Sequence, residues 1–228
     1  MSGTVCAIAI DGPSGAGKST VAKRVAAALS FQYIDTGAMY RALTLKALRL
    51  GIDTGDDAAV SAMARQSSVI LRDEAGGTRV LLDGEDVSRE IREPAVTAHV
   101  SAVCSYGGVR EAMVEQQRAM AAHGPVVMDG RDIGSHVLPN AKLKIFLTAD
   151  LAVRGRRRYQ EWQAKGIDAL SEEEICADLA RRDHLDSTRA LNPLRQTEDA
   201  VYLDTSALSI DQVVQAITAL WEDIPCGF

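Results

Sequence analysis

The run Gly12-Pro13-Ser14-Gly15-Ala16-Gly17-Lys18-Ser19 constrains the fold of this chain more than any other stretch. It has the spacing G-x-x-x-x-G-K-[ST] and lies between a strand pattern and a helix pattern. Before it, Val5 to Ile10 is a short, nearly unbroken apolar run that stops at Asp11-Gly12, as a strand buried on both faces does. After it, Ser19 to Leu29 reads as a helix, with Val21, Val25 and Leu29 recurring on one side. Glycines let consecutive backbone N–H groups close round phosphate oxygens, and the helix N-terminus adds partial positive charge. A lysine then reaches the β and γ oxygens and a hydroxyl serves Mg²⁺. Gly12, Gly15, Gly17, Lys18 and Ser19 fill those parts, with Pro13, Ser14, Ala16 and Thr20 completing a loop assigned to ATP and Mg²⁺. The opposing reading, a chance glycine-rich turn, does not account for the strand before it and the helix after it.

Further strand-length apolar runs are Val126-Val127-Met128, ending at Asp129, Leu143 to Leu147, and Val201-Tyr202-Leu203. Helical patterns separate or flank them: Val109 to Ala122, Leu151 to Lys165, Ser171 to Arg182 and Ser209 to Trp221. This alternation predicts an α/β fold, a parallel sheet flanked by helices, with ligands at the C-terminal ends of its strands. One stretch breaks the rhythm. Val69 to Leu71 and Val80 to Leu82 are separated by Asp73-Glu74-Ala75-Gly76-Gly77, and Asp83-Gly84 follows, so a small antiparallel insert is expected at about 67–92. Asp129 ends a strand and is placed to orient Mg²⁺ through water, although Asp129-Gly130 alone also fits a plain turn.

At 228 residues and 46% hydrophobic, the chain can bury one sizeable core, and one folded unit with insertions is expected. A net charge of −6 argues against a broad basic surface for nucleic acid, so any anion must be met by a local cluster of cations. The cysteines Cys6, Cys104, Cys176 and Cys226 lack C-x-x-C or histidine-linked spacing, which points to reduced thiols in a cytoplasm. No apolar run approaches the roughly 20 residues that span a bilayer, and no basic stretch precedes an apolar signal core, so neither membrane nor export is expected. The four histidines show no metal-ligand spacing, and Trp162 and Trp221 read as packing residues.

Bringing two polyanions together requires cations on mobile elements. Arg154, Arg157 and Arg158, at i, i+3 and i+4 of a predicted helix, share one face, while Arg156 points elsewhere. Arg182, Asp186 and Arg189 have i, i+4, i+7 spacing if the helix opened by the capping pair Ser171 and Glu174 continues that far. Arg182 and Asp186 also fit a plain surface ion pair, and Arg157 and Arg158 a solvated face.

These residues carry a resemblance. The chain resembles bacterial-type cytidylate kinases, a branch of the P-loop nucleoside monophosphate kinases, in IDGPSGAGKST at 10–20, DTGAMYR at 35–41, LLDGEDVSREIR at 81–92, DGRDIG at 129–134, KIFLTA at 144–149 and RRDHLDSTRA at 181–190. Together these run from residue 8 to about 205. The resemblance implies a P-loop NTPase fold with a core at about 1–35, 120–150 and 190–228, a monophosphate-binding region with the β insert at about 36–119, and a helical lid at about 151–168. It implies transfer of the γ-phosphate of ATP to CMP or dCMP, and a monomer is the separate expectation. Thr36, where the family often has serine, and Arg41 would meet the acceptor phosphate, with Arg131 near it. Ser101, Arg110 and Asp132 would read the base, Asp186 and Arg189 the ribose, and Arg157, Arg158 and Arg182 would lie over the transferred phosphate.

The base-reading set has its own logic. Cytosine offers an exocyclic amine with N3 and O2 as acceptors, complementary to a carboxylate beside arginine and hydroxyl donors. Uracil would set O4 against that carboxylate, a buried mismatch of roughly 1–3 kcal/mol, or about ten- to hundredfold discrimination. Taken singly, the same three residues fit helix caps or salt bridges. Rival readings are a P-loop kinase of another small acceptor such as UMP, and a nucleotide-hydrolysing switch, though no NKxD-like signature accompanies the loop.

Overall fold

Five strands form a parallel sheet in the order β2-β6-β1-β7-β8: β1 Val5–Asp11, β2 Gln32–Asp35, β6 Val126–Gly130, β7 Ala141–Thr148 and β8 Val201–Asp204. The computed structural model describes residues 5–74, 77–164, 166 and 170–224. β1 pairs with β7 in the register Ile8↔Leu143 to Asp11↔Phe146, and β7 with β8 from Ile145↔Val201 to Thr148↔Asp204. Interior β6 is buried along its whole length, and β1 from Ala7 onward, which is why they read as continuous apolar runs. The expected strands all form. β2 has no counterpart among them, because Gln32-Tyr33-Ile34-Asp35 carries only two apolar residues between polar ends.

β1 lies between β6 and β7, so the order of the sheet changes direction at its C-terminal end, and the phosphate loop emerges there before α1 (Lys18–Leu29). Gly12 opens this loop with φ +152°, and a Cβ on it would stand 1.9 Å from the Leu147 carbonyl oxygen of β7. Gly12→Ala is therefore expected to cost about 3 kcal/mol or more, read as a fall of the melting temperature or loss of soluble protein.

The chain divides into two compact units, one built from the residues before Gln32 and from Val127 onward, the other from Gln32–Val126. In the first, α6 (Leu151–Ala164) packs on α7 (Glu172–Thr188), and α8 (Ile210–Glu222) packs on α1. Trp221 meets Phe31 edge-on at 5.2 Å, the packing role expected of it. α7 begins with a full capping box between Ser171 and Glu174 and runs past Arg182 to Thr188, so Arg182 and Asp186 do share one helix, with Arg189 as its C-cap. Lys165 and 167–168 of the expected lid, like Cys226, lie outside the described residues.

The second unit holds α2 (Thr36–Arg49), α3 (Asp57–Arg65), α4 (Pro94–Val103) and α5 (Gly107–Ala121), with the antiparallel sheet of β3 (Val69–Glu74), β4 (Gly77–Leu82) and β5 (Glu85–Asp86). Val69↔Leu82 and Leu71↔Val80 pair across it and all four side chains are buried, which supplies the alternation seen in the sequence. Asp83 and Gly84, at φ 51° and 91°, form the tight turn from β4 to β5, and Ala75 and Gly76 of the other turn lie outside the described residues. Among the described residues no helix is long and apolar enough to cross a membrane.

Candidate active site

The phosphate loop leaves Gly17, Ser19 and Thr20 exposed while burying the Lys18 side chain, whose Nζ donates to the Pro13 carbonyl oxygen at 2.7 Å. Burial, then the Arg131 guanidinium, pushes the Lys18 ammonium down to about 7 against the pull of Asp129, Asp186 and Asp11. Ser19 Oγ donates to Asp129 Oδ2 at 2.9 Å, so a hydroxyl and a buried carboxylate from the ends of α1 and β6 stand together. These are hard oxygen donors in the number that Mg²⁺ takes from protein when phosphates and water complete its shell, and the pair fits that ion. Among the described residues no group of three or more metal-ligating side chains gathers, so no all-protein metal cage forms.

Every polar group of Ser14 is engaged from outside the loop. Its N–H donates to Asp183 Oδ1 at 2.8 Å, its carbonyl accepts from Arg154 Nη1 at 2.8 Å, and its hydroxyl accepts from Arg131 Nη2 at 2.9 Å. Arg154 also bonds the Ala149 carbonyl and pairs with Asp183 at 2.6 Å. Spacing along α6 groups Arg154 with Arg157 and Arg158 over the phosphates. The structure buries it instead as a bracket between α6, α7 and the loop. Arg157 lies on the β8–α8 connection, donating to the Thr205 and Leu208 carbonyls and to the Thr205 hydroxyl. Arg156 is exposed, 3.7 Å from Glu172.

Arg158 and Arg182 have no carboxylate within ion-pair range among the described residues. Burial, then Arg131, pulls the Arg182 guanidinium toward its neutral form, and Arg158 adds to the effect. Asp186 does not pair with Arg182, as their i, i+4 spacing allows. It takes Arg131 Nε at 2.7 Å. Asp132 is buried and accepts from Arg189 Nη2 at 3.2 Å, while Arg189 Nε donates to the Asn192 carbonyl at 2.7 Å. The first unit thus gathers Lys18, Ser19, Asp129, Arg131, Asp132, Arg158, Arg182, Asp186 and Arg189 around the ends of β1 and β6.

The second unit carries the other four expected residues. Thr36 is buried at the first turn of α2, whose N-terminus is capped by Asp35 accepting from Ala38 N–H at 2.9 Å. Arg41, one turn on, donates to Thr97 Oγ1 at 2.9 Å and to the Ile91 carbonyl at 3.2 Å, tying α2 to α4. Ser101 is half-buried on α4. Arg110 is buried on α5 with its guanidinium 5.7 Å from the Tyr40 ring centroid and 3.3 Å from the Cys104 carbonyl oxygen. Sequence reasoning missed Asp183 and Asp11. Asp183 follows Arg182 directly, yet only contacts 29 and 169 residues away in the chain, with Arg154 and Ser14, reveal what it holds.

A parallel sheet with a lysine-bearing phosphate loop at its switch point, accompanied by Arg158 and Arg182, which have no ion-pair partner among the described residues, defines a P-loop kinase. The cytidylate kinase family model matches residues 8–223, and the chain belongs to that family. It is 53% identical over 216 residues to a cytidylate kinase of Lysinibacillus sphaericus (strain C3-41), covering 95% of this chain and 96% of that one. Against a cytidylate kinase of Desulforamulus reducens it is 54% identical over 211 residues, covering 92% and 94%. Among solved structures, a gluconokinase from Sinorhizobium meliloti 1021 aligns with 96% of this chain and 93% of its own, at TM-score 0.50 and 15% identity, a likeness of fold.

Proposed function

We propose that this chain transfers the γ-phosphate of ATP to CMP, and to dCMP, giving ADP and the corresponding diphosphate. The observation that carries this reading is the set Lys18, Arg158 and Arg182 beside a complete phosphate loop, with no carboxylate in ion-pair range among the described residues, in a chain whose family is that of cytidylate kinases. Such a cluster is unfavourable until a polyanion enters, so it is built for phosphates.

In the proposed mechanism the loop amides from Gly15 to Ser19 and the N-terminus of α1 hold the β-phosphate. Lys18 leaves the Pro13 carbonyl for the β and γ oxygens. Ser19 and Asp129 are the residues that would hold Mg²⁺, which when bound neutralises charge on the β and γ oxygens. Arg158 and Arg182, with Arg157, offset the charge that develops as an acceptor phosphate oxygen attacks the γ-phosphorus in line and ADP leaves. No protein nucleophile is required. Thr36, Arg41 and Arg131 bind the acceptor phosphate, Ser101, Arg110 and Asp132 read cytosine, and Asp186 and Arg189 meet the ribose. The Asp132–Arg189 and Arg131–Asp186 pairs support this assignment, because each carboxylate is oriented by an arginine and a carboxylate accepts from more than one donor. The working parts are a core at about 1–35, 120–150 and 190–228, an acceptor region at about 36–119 and a lid at about 151–168. The enzyme acts as a cytoplasmic monomer on small nucleotides, without nucleic acid.

ADP release from ATP·Mg²⁺, followed in parallel with CMP, dCMP, UMP, AMP, GMP or no acceptor, tests the reading. Turnover should be greatest with CMP or dCMP, and UMP should trail by about ten- to hundredfold in kcat/KM. Equal release without any acceptor would replace this function with a hydrolytic switch.

A further inference from the structure

Asp11 closes β1, stands immediately before the phosphate loop and is 6% exposed. Its carboxylate does not turn toward the loop. It accepts the backbone N–H of Ile133 at Oδ1 and that of Gly134 at Oδ2, each at 2.8 Å. Two successive amides held by the two oxygens of one carboxylate fix both peptide planes, and these follow directly after Asp132, whose backbone (φ −144°, ψ 28°) belongs to neither helix nor strand. The residues so held begin with Arg131, bonded to Ser14 and Asp186, and with Asp132, bonded to Arg189. We infer that Asp11 is a positioning residue for acceptor selection, its carboxylate setting the 131–134 loop so that Asp132 meets the base in the one orientation that favours cytosine. The inference rests on the CMP reading above.

A buried carboxylate here is not explained by stability. Burial pushes Asp11 up to about 6, against the two N–H bonds and Lys18 that pull it down, while Asp132 raises it further. Its folded pKa lies above the ordinary value of 3.8, so ionised Asp11 disfavours the fold, a cost fully present above about pH 6 and absent below about 3.8. Asparagine would relieve that cost yet accept through one oxygen only, turning its amide N–H₂ toward a second donor. The loop must then shift.

The test compares Asp11→Asn with the unaltered chain in kcat and in KM for ATP, CMP and UMP, together with the melting temperature. The expected result is a fall of about tenfold or more in the ratio of kcat/KM for CMP to that for UMP, with KM for ATP within about threefold and melting within about 4 °C of the parent. Gly134→Ala approaches the same loop from its other end, since a Cβ there would stand 3.1 Å from Lys144 Cδ and 3.4 Å from Asp11 Oδ2. It leaves β1 and the phosphate loop unaltered and should lower the same ratio. If either variant keeps the parent ratio, or if ATP and CMP constants worsen together with stability, Asp11 is structural only and the inference falls. If the unaltered chain itself shows no preference for CMP, the functional reading fails and takes this inference with it. The parent's own kinetics separate the two failures.

Discussion

Lys18→Ala is expected to lower kcat for ATP-dependent transfer by about a thousandfold or more, while the melting temperature holds or rises. The two halves of this result have one cause. Lys18 is 5% exposed, and among the described residues its ammonium meets only the Pro13 carbonyl oxygen at hydrogen-bonding distance. Burial lowers its pKa from 10.5 to about 7, so the unfolded chain binds the proton more tightly than the folded one. The charged lysine therefore opposes folding, fully below about pH 7 and progressively less as pH rises toward 10.5. Removing it takes away that opposition together with the cation that reaches the transferred phosphate. A coupled assay of ADP release beside a thermal melt reads both. A variant that keeps near-normal turnover would remove the phosphate loop from the mechanism, and one that loses activity only by unfolding would make Lys18 a structural residue.

Arg182→Ala should cost about a hundred- to thousandfold in kcat with little change in KM for CMP. Arg182 sits on α7 facing Arg131 and Arg158. The carboxylates one turn to either side of it on α7, Asp178 and Asp186, are taken by Arg181 and Arg131. A guanidinium held among other cations is repelled by them in the empty site and is relieved as negative charge gathers on the transferring group, so its contribution is greatest in the transition state. Single-turnover rates with saturating ATP and CMP check this. A KM effect at unchanged kcat would reassign Arg182 to ground-state binding.

Several of the local expectations survive because each is written in neighbouring residues. The glycine spacing between Asp11 and Ser19 dictates a loop that only a strand before it and a helix after it can hold open. The Ser171–Glu174 pair dictates where α7 starts, and Asp83-Gly84 dictates a tight turn because both residues take positive φ. β2 escaped because its four residues acquire strand character from pairing within the sheet and not from a pattern of their own.

Side-chain roles divide in the same way. Lys18 and Ser19 are legible because their roles follow from backbone geometry within eight residues. Arg154, Arg157 and Arg158 share a helical face by spacing, but spacing does not say what that face lies against. Only packing of α6 on α7 turns Arg154 into a bracket on Ser14, while Arg157 reaches the β8–α8 connection. Asp183, Asp186 and Asp11 find partners 169, 55 and 122 residues away. A carboxylate looks the same in sequence whichever donor it will accept, and the donor is chosen when the sheet brings distant strand ends together. The sequence by itself determined the phosphate loop, the strands and helices around it and the presence of enough cations. Tertiary structure alone decided which cations are spent on the protein and which remain to meet phosphate, because burial and long-range pairing set the charge balance of each one.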